Sequence, residues 1–259
     1  MKVLKVHIKL HWGFSVRKPF FSASQPSFKV PPPTTLIGAL SRALAYSKKM
    51  PEVLVISSGK KTYYSSTIKL LKYCKWASLA LVDENLLPRE GLVETHDIMR
   101  AVIAPYVRRE NIPRGMLYAP QAHGRIYSPD LDILVTYFVE DPYAEQLQKI
   151  AWGITALGCK ESIASTVDIK VLNLKEYKEN IVKTRFYFEK DLAEDVKGDY
   201  IEDYLTLPSE EHFELASTKY TLTTFIIPLS VVLARINPDK ALALSDGQDI
   251  YIVNKEVFS

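Results

Sequence analysis

The sequence predicts an α+β fold organised around a βαββαβ unit, and three observations predict it. Residues 3–12 alternate strictly, with Leu4, Val6, Ile8, Leu10 and Trp12 on one face and Lys5, His7, Lys9 and His11 on the other. A proline-led pattern of helical period follows at 35–48. Beyond an irregular middle, a second alternating run, a second helical pattern and a closing strand come in turn. Strand, helix, strand, insertion, strand, helix, strand is the ferredoxin-like order, shared by RNA-recognition modules and many unrelated proteins.

The first run is a strand with one apolar and one basic face, and 13–33 is too rich in Ser, Pro and Phe for a regular element. Thr34 or Thr35 is the expected N-cap of the first helix, which carries Leu36, Ile37, Leu40, Ala43 and Leu44 on its apolar stripe. A short strand is expected at 53–56, 62–71 fits strand or helix, and 76–82 reads as a buried strand. Residues 83–130 lack sustained periodicity and read as a long protruding insertion, a hairpin with a short helix near 96–102. With little to bury, the insertion is expected to become ordered on binding. Residues 131–139 alternate again. Asp141 and Pro142 then open a helix with Tyr143, Leu147, Ile150, Ala151, Ile154 and Leu157 on one face, and Gly158 stops it. Val167, Ile169 and Val171 form the closing strand. The expected organisation is a domain over 1–175 with 83–130 inserted, then a smaller β-rich part over 176–259. Within that part 183–214 is acidic, as a solvated linker or a docking surface for a basic partner would be.

Composition excludes several classes. With 47% hydrophobic and 24% charged residues in 259, the chain can bury a full core. Lys2, Lys5, His7 and Lys9 break up any signal-peptide core, and the longest apolar run, 225–234, contains Pro228 and is about half the ~20 residues of a membrane span. A cytoplasmic protein without membrane contact is expected. Cys74 and Cys159 lie in no zinc-ligand spacing, so neither metal nor cofactor is expected. No phosphate-loop, zinc-protease or nucleophile-elbow string occurs. The net charge of +3 conceals segregation: 1–80 holds fourteen basic side chains against Glu52 alone, a local +13 balanced by −10 in the remainder. Such a distribution fits a polyanion partner or a solvated lysine-rich surface.

The most informative stretch is 26–40, PSFKVPPPTTLIGAL. A polyproline approach delivers the chain into a helix start whose free N–H groups and dipole favour an anion; an ordinary proline-led helix packed on the sheet would look the same. Gly38 inside that helix suggests close packing or close approach of a ligand. A first strand followed by this P-P-x-T-x-x-G-x-L pattern resembles the CRISPR-associated RAMP subunit family called "Cas-five", in the variant of archaeal type I-A Cascade. The likeness is tightest over 1–45, extends through the element order to about 175, and has no specific counterpart in the C-terminal part.

The resemblance implies a subunit that binds the 5′ handle of the CRISPR RNA, caps a backbone of RAMP subunits and contacts the large subunit. The insertion would be its thumb, offering Arg108, Arg109, Arg114, Tyr118, His123, Arg125 and Tyr127 for phosphate contact and base stacking among interspersed acids. Lys5, Lys9, His11, Arg17, Lys18, Lys29 and Arg42, with Thr34, Thr35 and Gly38 at the helix start, complete the expected RNA-binding set. The family's glycine-rich loop after the second helix is reduced here to 158–162, GCKES. Three readings stand: a non-catalytic guide-RNA scaffold, a metal-independent endoribonuclease with His11 or His123 as its base, and a protein-interaction module with a merely solvated basic strand.

Overall fold

The computed structural model describes residues 1–19, 24–58, 60–81, 93–102, 118–129, 131–215 and 219–258. In chain order, β1 (Lys2–Leu10) leads to α1 (Pro33–Lys48), then to a two-stranded ribbon of β2 (Val53–Ser58) and β3 (Lys60–Ser65) and a short α2 (Thr67–Leu71). Next come β4 (Cys74–Leu81), a hairpin of β5 (Val93–Val102) and β6 (Tyr118–Tyr127), β7 (Leu131–Val139), α3 (Ala144–Ala151) and β8 (Ala164–Asn173). The central sheet has the order β8-β1-β7-β4, with every neighbouring pair antiparallel.

Both faces of this sheet are covered, which decides the fate of β1's basic face. Tyr137 on β7 points to the helical side and donates its hydroxyl to the Leu36 carbonyl of α1 at 3.0 Å. Its neighbour Phe138 points the other way and meets Tyr251 edge-on, with ring centroids 5.4 Å apart. Lys5 lies opposite Thr136 in the β1–β7 register, so it shares Phe138's face and is buried beneath the C-terminal strands. Those strands are β9 (Ile181–Thr184), β10 (Ala193–Lys197), β11 (Tyr200–Thr206), β12 (Leu222–Pro228), β13 (Val232–Ile236), β14 (Ala241–Ser245) and β15 (Ile250–Asn254). The acidic stretch 183–214 is built into them: Phe186, Tyr187 and Leu205 belong to the same buried cluster as Val6 and Ile8. Tyr187 also donates its N–H to Leu79 on the outer edge of β4.

Local outcomes differ from expectation in ways the backbone explains. Helix α1 begins at Pro33 with Pro32 as N-cap and no capping side chain, because a proline at N1 has no N–H to orphan. The second helix runs only over 144–151, preceded by a 3-10 turn at Asp141–Tyr143, and Ile154 and Leu157 reach the core from irregular chain. Residues 96–102, expected as a short helix, are part of β5, paired along its length with β6. The base of the insertion is anchored rather than detached. β6 also pairs with Gly13–Phe14 and, in parallel, with Ser24–Gln25, and Ile126 is fully buried. Among the described residues, no helix is long and apolar enough to cross a membrane.

Candidate nucleic-acid interface

The described residues 11–19 and 24–30, between β1 and α1, are held down by three close backbone approaches. Gly13, at φ +128°, lies against the Ile126 carbonyl; Gly124 packs on Pro26 and Ser27; Gly158, at φ +87°, packs on the Ser15 carbonyl. Ser15 donates its hydroxyl to the Gly124 carbonyl at 2.8 Å and its N–H to Ser162 Oγ at 3.0 Å. Phe28 N–H to Val16 O and Lys18 N–H to Pro26 O then pair 16–18 with 26–28, leaving the Arg17 side chain exposed.

This folded-back connection forms one wall of a cleft of about 350 Å³ at the start of α1, lined by Arg17, Lys18, Gln25, Thr34, Thr35, Thr206, His212 and Tyr220 among others. Thr34 and Thr206 share a 2.6 Å hydroxyl–hydroxyl bond across it. The N–H groups of Thr35 and Leu36 both turn back on the Pro32 carbonyl, so the helix offers its dipole more than its donors. Lys18 Nζ is 2.6 Å from the buried Asp203 carboxylate, which also accepts the N–H groups of Lys29 and Tyr204. Lys18 is thus partly neutralised, and Arg17 is the more open cation. On the opposite wall His212 stands edge-on to Tyr220, with centroids 5.5 Å apart. Burial pulls the His212 imidazole below its ordinary range, favouring the neutral ring, and its Nδ1 has no hydrogen-bond partner among the described residues. A cation, hydroxyls and a positive helix end beside two rings suit a phosphate with its attached base.

A second basic and aromatic surface lies at the far end of β1. His11 Nε2 is 2.7 Å from Ser165 Oγ, and Trp12 donates its indole N–H to the Glu161 carbonyl at 2.6 Å. The Arg125 guanidinium stands 5.4 Å over the Trp12 ring. Lys9 is half-buried on β1 opposite Asp132 and Ser165, Tyr127 is half exposed, and His123 is half-buried on β6 opposite Asp97.

Several expected site residues stand elsewhere. Lys5 is removed from any phosphate by burial and by ion pairs to Asp246 and Asp249. Gly38 is not a point of close packing within the chain, since a Cβ there would meet nothing within 4 Å. It lies with Arg42 on a separate groove between α1 and α2, where Arg42 leans on the Tyr46 ring at 5.6 Å. Lys29 is exposed beside the cleft. Arg108, Arg109 and Arg114 lie outside the described residues, and Tyr118 is placed only as the first residue of β6. Gln25, Thr206, His212 and Tyr220, which complete the cleft, are missed by sequence reasoning because three of them belong to the C-terminal part. Among the described residues no group of His, Cys, Asp or Glu could hold a metal ion.

No family model matches this chain. Its fold resembles a crystal structure of a CRISPR protein from Archaeoglobus fulgidus, with TM-score 0.60 at 18% identity, covering 98% of this chain and all of the other. A chain of a CRISPR RNA-guided surveillance complex gives TM-score 0.50 at 11% identity, covering 90% of each. The fold is thus of the class found in CRISPR proteins. In sequence, the CRISPR system aCascade subunit Cas5 1 of Saccharolobus solfataricus is 35% identical over 232 residues, covering 87% of this chain and 89% of the relative. CRISPR-associated protein Cas5 3 of the same organism is 32% identical over the same shares. The chain belongs to the Cas5 family of RAMP proteins.

Proposed function

We propose that this chain is a non-catalytic subunit of an archaeal type I CRISPR effector that binds the repeat-derived 5′ handle of the CRISPR RNA. In this reading the central sheet and its two helices are a ferredoxin-like RAMP domain, the β5–β6 hairpin is the thumb, and the chain caps a backbone of RAMP subunits and meets the large subunit. The observation that carries the reading is the cleft at the start of α1, where Arg17, Thr34 and Thr35 from the segment most like the family face His212 and Tyr220. Phosphate contacts from Arg17 and Lys29 would position the RNA without reading its sequence, and the rings would stack a base.

The same cleft favours one alternative, a metal-independent endoribonuclease. A neutral imidazole beside a tyrosine and a lysine is the set such chemistry uses to take the 2′-hydroxyl proton and support the leaving oxygen. Incubating the purified protein with labelled CRISPR repeat RNA separates the two. Retention without cleavage supports the scaffold; site-specific cleavage abolished by His212→Ala, or by His11→Ala or His123→Ala on the second surface, establishes the nuclease.

A further inference from the structure

The β2–β3 ribbon stands apart from the other sheets, and its two long edges differ. The outer edge of β3 is occupied: Tyr64 bridges Glu214, and Leu215 donates its N–H to the Tyr63 carbonyl at 2.9 Å. The outer edge of β2 pairs with no described strand. Exposed edges usually carry a charge, a proline or a bulge that blocks further pairing. β2 reads Val-Leu-Val-Ile-Ser-Ser, pairs with β3 without a register shift, and has none of these. Three of its four apolar side chains are in solvent, with Val53 42%, Val55 56% and Ile56 45% exposed and Leu54 half-buried; Tyr63, the cross-strand partner of Val55, is also exposed, at 47%. A two-stranded ribbon is marginal in water unless a further strand or a packed face supports it.

We infer that the outer edge of β2 accepts an extended, acidic segment of a protein partner as a third strand. Charge selects the occupant. Residues 42–75 hold eight basic side chains against Glu52 alone, so two copies of this ribbon would repel, whereas an acidic strand would be drawn in. Lys61 lies opposite Ser57 in the ribbon, and Lys48 and Lys49 are exposed at the helix end that leads into it. An RNA would also meet these cations. It would leave the carbonyl half of the edge unsatisfied, however, and beside the single ring of Tyr63 would find aliphatic Val53, Val55 and Ile56, where stacking of successive bases needs several rings. The site is distinct from the cleft at α1 and does not depend on what that cleft binds.

The test is amide hydrogen exchange of the full chain with a twelve-residue peptide of alternating Glu and Val, at up to about 1 mM, the weak end of specific binding. Saturable protection of the amides of 53–58 is expected. It should fall at least about tenfold in apparent affinity with Val55→Glu or Lys61→Glu, both solvent-facing changes, and with a peptide N-methylated at every residue, which has no N–H on either edge to complete a ladder. Equal binding of the Lys-Val counterpart, protection by an oligouridine RNA instead, concentration-dependent protection by the chain itself, or no protection at 53–58 would each overturn the inference.

Discussion

Lys5 on the first strand and Asp249, 244 residues later, are joined by an ion pair of 2.8 Å, and Arg185 reaches the same carboxylate with two bonds of 2.9 and 3.0 Å. Asp246 completes the cluster, taking Lys5 on one side and the Tyr251 hydroxyl at 2.6 Å. The cluster ties the C-terminal part to the central sheet. Removing Lys5 leaves a buried carboxylate with one partner fewer, so Lys5→Ala should cost about 3–5 kcal/mol in denaturant unfolding. RNA affinity of the folded fraction, and its salt dependence, should stay at the wild-type value.

Two glycines should respond oppositely to alanine. At Gly124 a Cβ would stand 2.3 Å from Ser27 N and 2.7 Å from Pro26 Cα, both backbone, so Gly124→Ala should destabilise by about 1–3 kcal/mol and speed amide exchange at 124–127. At Gly38 the same atom meets nothing within 4 Å inside a helix, so Gly38→Ala should stabilise by about 0.5–1 kcal/mol. A thermal melt of each variant checks both signs.

Glu189 is buried beside Asn254, and desolvation, with Asp191 and Glu256 nearby, pushes its carboxyl up to about 7 from an ordinary 4.5. The unfolded chain releases this proton first, so the fold loses stability as pH rises from about 4.5 to about 7. Glu189→Gln keeps a hydrogen bond to Asn254 within reach and removes the charge. It should flatten that dependence and gain about 1–3 kcal/mol above pH 7 in unfolding titrations.

The strands and helices of the central sheet were legible because each carries its own periodicity: Leu4 to Leu10 alternate, and Leu36, Ile37 and Leu40 recur at helical spacing. What local pattern cannot show is which face a later segment will cover. Lys5 and Lys9 look alike in sequence, yet only Lys5 lies under the turn that carries Asp246 and Asp249. Thr34 and Thr35 are legible from the helix start, and Arg17 from the basic run of the first eighty residues. Their counterparts His212 and Tyr220 are not, because a contact across nearly two hundred residues leaves no local signal and the acidic stretch beside them reads as linker. The similarity to Cas5 relatives spans 232 residues, well past the 175 to which the motif and element order reach.

The most direct test of the account is the affinity of the purified chain for a labelled 5′ handle RNA across salt, for the wild type, Arg17→Ala and Tyr220→Ala. If the cleft at α1 grips the RNA, Arg17→Ala lowers the slope of log affinity against log salt by about 0.7, one phosphate contact on a single strand. Tyr220→Ala should weaken binding by about 1–3 kcal/mol at every salt concentration, with the slope unchanged, as loss of a stacked base requires. Wild-type affinity and slope in both variants would contradict it and place the RNA elsewhere on the protein.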